Sequence, residues 1–296
     1  MRYAFCLARR NIRLFLKNRL NILLSFASIF IILGIYFTFL RDFMMGIVIG
    51  YGVLPEQVNA FTDRFMTAGL LVVISTTTCF GMVQVFVSDA ASGIKRDYLI
   101  SPAAPFQLVI GYLLSSTLIS SFFTCLTVLG LTQFFYFYYG SAPEFREIIQ
   151  ILGSVIYLSC LNSIILLCLS RFLKSVSTFS TLANLYGTLI GFLAGDYLPC
   201  YFYPGWLRKI LFYFPPAQMT GVLRRLFTQN MNEKIYGIDP DFHKKLFLDL
   251  GIYMERNEKL VSMKDQWQIL LISGLLLLVC LWLLNRERRR VKINKS

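Results

Sequence analysis

The segment Ser88-Asp89-Ala90-Ala91-Ser92-Gly93-Ile94-Lys95-Arg96-Asp97-Tyr98-Leu99-Ile100-Ser101-Pro102 is a charged island between two long apolar runs, Phe65 to Val87 and Ala103 to Tyr139. It carries a helical pattern of its own. Ala90, Ile94 and Tyr98 recur on one face, Asp89, Lys95, Arg96 and Asp97 supply charge, and Pro102 closes it. A short amphipathic helix held between two spans at a membrane surface is suited to meeting a soluble partner.

The flanking runs set the fold class. Hydrophobic residues make up 56% of the chain and charged residues 15%, against roughly 25% charged in soluble domains. A bilayer core about 30 Å thick takes roughly 20 apolar residues per helix. On that measure the chain is an all-α integral membrane protein with six transmembrane helices, near 20–40, 65–87, 105–138, 148–170, 176–198 and 267–284.

Lys and Arg in short loops orient the spans. Arg2, Arg9, Arg10, Arg13, Lys17 and Arg19 precede the first span without an acid, and Arg286, Arg288, Arg289, Arg290, Lys292 and Lys295 follow the last with Glu287 alone. Lys95, Arg96, Arg171 and Lys174 mark two further loops on that side. The segments 41–64 and 140–147 mix Arg41, Arg64 and Arg146 with acids, so they read as outer loops. Both termini and the island are expected in the cytoplasm, in a multi-pass protein of the cell membrane. The net charge of +13 is then a topology signal rather than a nucleic-acid footprint.

Residues 2–19 read as an interfacial helix, with Phe5, Ala8, Ile12, Phe15 and Leu16 on one face and the basic side chains on another. A solvated basic start is the alternative. The basic start leads into an apolar run long enough to span, with no small-residue cleavage pattern before Arg41, so no cleavable signal is expected. Residues 199–266 form an external segment. Short apolar pieces bounded by Pro204 and Pro215-Pro216 suggest re-entrant or interfacial helices, and 228–266 a small polar cap. The whole reads as a single membrane domain over 1–296.

The missing chemistry narrows the function. One histidine, His243, lies in the polar outer segment, so no metal site is expected. Six of the seven cysteines fall at the membrane or in spans and only Cys200 faces outward, which implies no disulfide framework. No Gly precedes a Lys, so there is no phosphate-binding loop of the Gly-Lys type. Asp196, near the outer end of the fifth span, is the one evident intramembrane charge; it reads either as a site residue or as an interfacial residue meeting the re-entrant segment. Ion-coupled transporters and intramembrane enzymes carry more, so any energy input should arrive from outside the spans, and the island is the natural receiver.

These residues resemble the permease subunits of type-two ATP-binding-cassette exporters, which share the fold of the G-type exporters. That family carries an acid, a Gly, a second acid and Ser-Pro before the third span, matched here by Asp89, Gly93, Asp97, Ser101 and Pro102. Its second signature is matched by Gly191-Phe192-Leu193-Ala194-Gly195, Pro204-Gly205-Trp206-Leu207, Phe214-Pro215-Pro216 and Leu223-Arg224. The resemblance leaves out about 228–266, which is longer than the family's compact outer loop.

The resemblance implies that the island, 88–102, is a coupling helix, with Asp89, Gly93, Ile94, Lys95, Arg96, Asp97, Tyr98, Ser101 and Pro102 serving a cytoplasmic ATPase subunit present in two copies. This chain would bind no cofactor and catalyse nothing itself; ATP and magnesium would sit in the partner. A second permease, identical or different, would complete a path lined chiefly by the second and fifth spans. Candidates there are Ser75, Thr76, Thr77, Thr78 and Gln84, with Asn184, Tyr186 and Thr188. Each could instead bond a neighbouring helix or its own backbone. The expected cargo is a hydrophobic or amphipathic compound such as a drug, antibiotic, peptide or lipid-like product. The alternatives are export of a lipid-linked glycan (teichoic acid or polysaccharide) and a membrane anchor or assembly factor without transport.

Overall fold

The computed structural model describes residues 2–53, 55–94, 105–141, 143–173, 175–232, 240–256 and 259–293. Helix α1 (Arg2–Lys17) leads into α2 (Arg19–Ile35), a π turn (Tyr36–Leu40) and α3 (Arg41–Gly50). Helices α4 (Pro55–Ala91), α5 (Pro105–Tyr139), α6 (Phe145–Ser170) and α7 (Val176–Leu193) follow. The outer segment holds α8 (Gly205–Tyr213), α9 (Pro215–Asn232), α10 (Pro240–Asp249) and a hairpin of two-residue strands, Glu255–Arg256 with Lys259–Leu260. The last helix is α11 (Met263–Ile293).

Among the described residues, six helical stretches are long and apolar enough to cross a membrane: Ser25–Gly50, Gln57–Ala91, Phe106–Tyr139, Phe145–Ser170, Val176–Leu193 and Met263–Leu284. Their backbones are satisfied within each helix, as lipid requires. Threonines within them return their hydroxyls to the preceding turn, as Thr76 does to Val72 O and Thr132 to Val128 O, both at 2.8 Å. Such bonds let a polar side chain sit in an apolar run without an outside partner.

Helix α4 is the axis of the bundle. It packs against α5, α6, α7 and α9, and its residues 60–76 are buried without interruption. Along its middle, Ala68, Leu71 and Val72 meet Val128, Ile151, Val155 and Met219. Toward Ala91, Phe80, Val83, Phe86 and Val87 meet Leu108, Tyr112, Leu167 and Phe179. Where α4, α5 and α6 cross, a serine-rich knot replaces apolar packing. Ser75 Oγ lies 3.2 Å from Ser120 Oγ and 3.3 Å from Ser159 Oγ, and Asn162 Nδ2 donates to Ser75 Oγ at 3.1 Å. Small hydroxyl side chains allow close approach and bond across the interface.

Hydropathy ends the first span near residue 40 and makes 41–64 an outer loop. The structure instead continues the helix to Gly50 and starts α4 at Pro55. The reason is a buried carboxylate. Asp63, almost fully buried in α4, accepts hydrogen bonds from Tyr36 Oη, from Arg41 Nε at 2.8 Å and from Tyr139 Oη. Tyr36 and Arg41 are five residues apart, which in an α-helix places them about 140° apart around the axis. The π turn between them, with its i to i+5 closure, stacks them on one face so both reach Asp63. Arg41 and Asp63 are thus interior partners rather than loop charges.

Helix α9 also departs from expectation. It is a helix of 18 residues, and from Pro216 to Thr228 every residue but Arg225 is buried, against α4, α6 and α11. Its polar side chains Gln218, Thr220, Arg224 and Thr228 all sit inside protein, where a polar helix can be held at depth.

Replacing Asp63 with Asn removes the charge that Arg41 and the two phenols face. Breaking a buried pair in this way is expected to cost about 3 kcal/mol, and Tyr36→Phe about 1 kcal/mol. Thermal unfolding of the purified protein in detergent checks both, and an unchanged melting temperature for D63N would contradict the assignment.

Candidate functional site

The island begins within the last turn of α4. Ala91 closes the helix, the Ser92 amide donates to Ser88 O at 2.9 Å, and Gly93 follows with φ of +84°. A left-handed residue just past a helix end is the usual C-terminal device, and glycine adopts it without a Cβ penalty. Gly93 therefore turns the chain out of α4. Ile94 follows it, half-buried. Lys95, Arg96, Asp97, Tyr98, Ser101 and Pro102 lie outside the described residues.

Asp89 is buried inside the helix junction rather than offered at the surface. Arg10 of α1 grips it with both guanidinium nitrogens, Nη2 reaching Oδ1 at 3.0 Å, and Tyr112 of α5 donates to Oδ2 at 2.6 Å. A two-pronged arginine contact is among the strongest polar contacts available to a carboxylate. One side chain thus ties α1, α4 and α5 together at the start of the island.

This grip positions α1. Ala4, Leu7, Ala8, Asn11 and Phe15 pack inward against the bundle, largely on α5. Asn11 donates to Ser115 Oγ at 3.3 Å. Phe5 and Leu16 stay exposed beside that stripe, on the flank expected to face lipid. The helix therefore has an apolar face against protein and a second apolar flank, where sequence alone suggests one. Arg10 is indistinguishable from Arg9 and Arg13 by composition. Its register with the buried stripe, next to Asn11 and one turn from Leu7, is the signal that separates it.

The expected path residues divide into two groups. Ser75, Thr76 and Thr78 are fully buried within this one chain, engaged by the serine knot or by their own helix, and Thr77 returns its hydroxyl to Ile74 O at 3.0 Å. Gln84 and Asn184, by contrast, are exposed and flank a small cleft of about 150 Å³ between α4 and α7, with Phe80 and Phe179 at its base. Thr188 is exposed on the same helix as Asn184, and Tyr186 is tucked edge-on against Phe80 at 5.7 Å between ring centres. Helix α7 is among the least enclosed spans, with Leu185, Leu189 and Phe192 presented outward.

Asp196 lies beyond the end of α7. The helix stops at Leu193 and closes with the Asp196 amide on Gly191 O at 2.8 Å, which folds the side chain inward onto α4. Its carboxylate fills the space beside Gly69, where an added Cβ would collide with it. Arg224 of the buried helix α9 acts on it only through space, and neither Oδ has a hydrogen-bond partner among the described residues. Nearby, Tyr203 donates to Phe192 O at 2.6 Å, and burial pushes this phenol up to about 12, so it remains a donor. Cys200 and the other six cysteines are free thiols. The side chain of His243 lies outside the described residues, and among those described no group of His, Cys, Asp and Glu is arranged to hold a metal.

The family model for the ABC-2 family transporter proteins matches residues 53–284, which takes in the island, five of the six spans and the outer segment. No curated protein matches the chain.

Arg10→Ala and Asp89→Asn should each destabilise the docking of α1, and Tyr112→Phe less so. In a double-mutant cycle the Arg10–Asp89 pair is expected to show a coupling on the order of 2 kcal/mol. Unfolding in detergent measures it, and strictly additive effects would show that the pair is not formed.

Proposed function

The chain belongs to the ABC-2 family of transporter proteins, and from that membership we propose that it is the membrane-spanning subunit of an ATP-driven exporter. As a member of that family it is a membrane subunit of an ABC transporter, working with a separate ABC ATPase. The finer reading is that the island docks on a cytoplasmic ATPase present in two copies, which holds ATP and magnesium. A second permease lies against the outward face of α7, where Leu185, Leu189 and Phe192 are uncovered. The cargo is a hydrophobic or amphipathic compound, moved outward by alternating access.

The observation that carries this reading is the clamp on Asp89. A receiver of mechanical work must be joined rigidly to what it moves. Here the first turn of the island, which is also the last turn of α4, is bonded to α1 and α5 at once, while α4 runs from that point through the whole bundle. A push on the island is then delivered to the central helix instead of being absorbed by a flexible loop. In this view Asp89 transmits the force, and the island beyond Gly93 receives it. The cleft beside Gln84 and Asn184 would be the part of α4 and α7 that meets the path, because the hydroxyls from Ser75 to Thr78 are already committed within the bundle.

Reconstitution with the partner ATPase tests the proposal. Asp97→Asn and Gly93→Ala should lower permease-stimulated ATP hydrolysis by about ten-fold, within the usual range of coupling free energies, while the protein stays inserted and folded. Transport by the purified chain with no ATPase present, or labelling of Lys95 by an impermeant reagent from outside the cell, would overturn it.

A further inference from the structure

At the end of the bundle opposite α1, the outer segment encloses a cavity of about 780 Å³ between α8, the start of α9, α10 and the hairpin. Its size falls within the range of small-molecule sites. The wall on α8 is regular. Gly205, Arg208, Lys209 and Phe212, at i, i+3, i+4 and i+7, all line it. The next face of the same helix presents Trp206 and Ile210 outward, an apolar and aromatic pair of the kind that anchors a helix at the lipid headgroup level, while Tyr213 is exposed at the cavity's edge.

The cavity has two kinds of lining. Leu193, Leu211 and Leu248 make an apolar floor, and Arg208, Lys209 and Lys245 stand exposed at its rim. Among the described residues none of these three cations is in an ion pair. The lining carboxylates are Asp249 and Glu255, and Asp249 already accepts from Tyr51 Oη at 2.6 Å. At the inner end lies the fully buried Arg224. Its Nη1 and Nη2 donate to Leu250 O at 2.8 Å and Gly195 O at 2.7 Å, and its Nε has no hydrogen-bond partner. A positive rim over an apolar floor, opening beside an interfacial helix, matches a molecule with an anionic head and a hydrocarbon tail.

We propose that this cavity is a binding site for a phosphate-headed membrane lipid, its head held by Arg208, Lys209 and Lys245 and its chain laid along Leu193, Leu211 and Leu248. The site is distinct from the island and from the cleft at Gln84 and Asn184. It takes from the proposed function only the placement of the chain in a membrane. Lipid binding needs neither the ATPase nor cargo, so failure of one reading leaves the other standing.

The test is titration of the purified full chain in dodecyl maltoside with palmitoyl-lysophosphatidylglycerol, read by native mass spectrometry. Saturable binding of one molecule per chain is expected, with lysophosphatidylcholine binding at least about ten-fold more weakly. The variant R208E/K209E/K245E changes exposed residues and should keep the melting temperature while losing about ten-fold or more in affinity. The variant R208K/K209R/K245R should bind within about two-fold of the original, because charge is kept. Leu248→Trp, which fills the cavity, should weaken binding without touching the rim. Equal affinity in the charge-reversed variant, equal binding of the choline lipid, or displacement by inorganic phosphate as effectively as by the lipid would each overturn the proposal.

Discussion

Two carboxylates on one helix organise this protein. Asp63 and Asp89 both lie on α4, and with a rise of about 1.5 Å per residue they are roughly 39 Å apart along it. That separation is close to the roughly 40–45 Å thickness of a bilayer counted with its headgroup regions. Each is gripped by an arginine from the N-terminal part of the chain and by a tyrosine of α5: Arg41 and Tyr139 at one end, Arg10 and Tyr112 at the other. Neither carboxylate could be buried bare, since an uncompensated charge away from water costs several kcal/mol. The partners therefore have to be present, and their presence dictates where α1, the π turn and α5 sit relative to α4.

Between the two clamps the packing is of another kind. Ser75, Ser120, Ser159 and Asn162 bring α4, α5 and α6 close through small side chains and hydroxyl bonds. Lipid supplies no hydrophobic drive between helices, so close packing and cross-helix bonds have to hold them together. The three helices pack closely, whereas α7 leaves much of its surface uncovered.

The outer segment is held by a buried cation. Arg224 reaches the interior on α9, its guanidinium stacked 4.2 Å over the Phe65 ring and bonded to two backbone carbonyls. By docking α9 beside α4, these contacts set the floor against which α8 and α10 close. The cavity is a consequence of that docking. A helix too polar to cross lipid unaided is held at depth by protein on all sides.

Periodicity and composition determined the class of this protein without help: an all-helical membrane chain with six spans, a basic amphipathic start and an irregular outer segment. The motifs around Asp89, Gly93 and the Gly191–Gly195 run determined its family. Those features are local, because hydropathy acts along one helix and a glycine signal within one turn. What only the tertiary structure decided is where charges and hydroxyls point. In sequence, Arg41 and Asp63 look like loop residues, Ser75 to Thr78 like a polar lining and Asp89 like a surface contact. Thr76 and Thr77 bond within their own helix, while Asp63, Asp89 and Ser75 are settled by partners far along the chain. A buried carboxylate of this kind is held by complements from other helices, and no stretch read by itself contains that information.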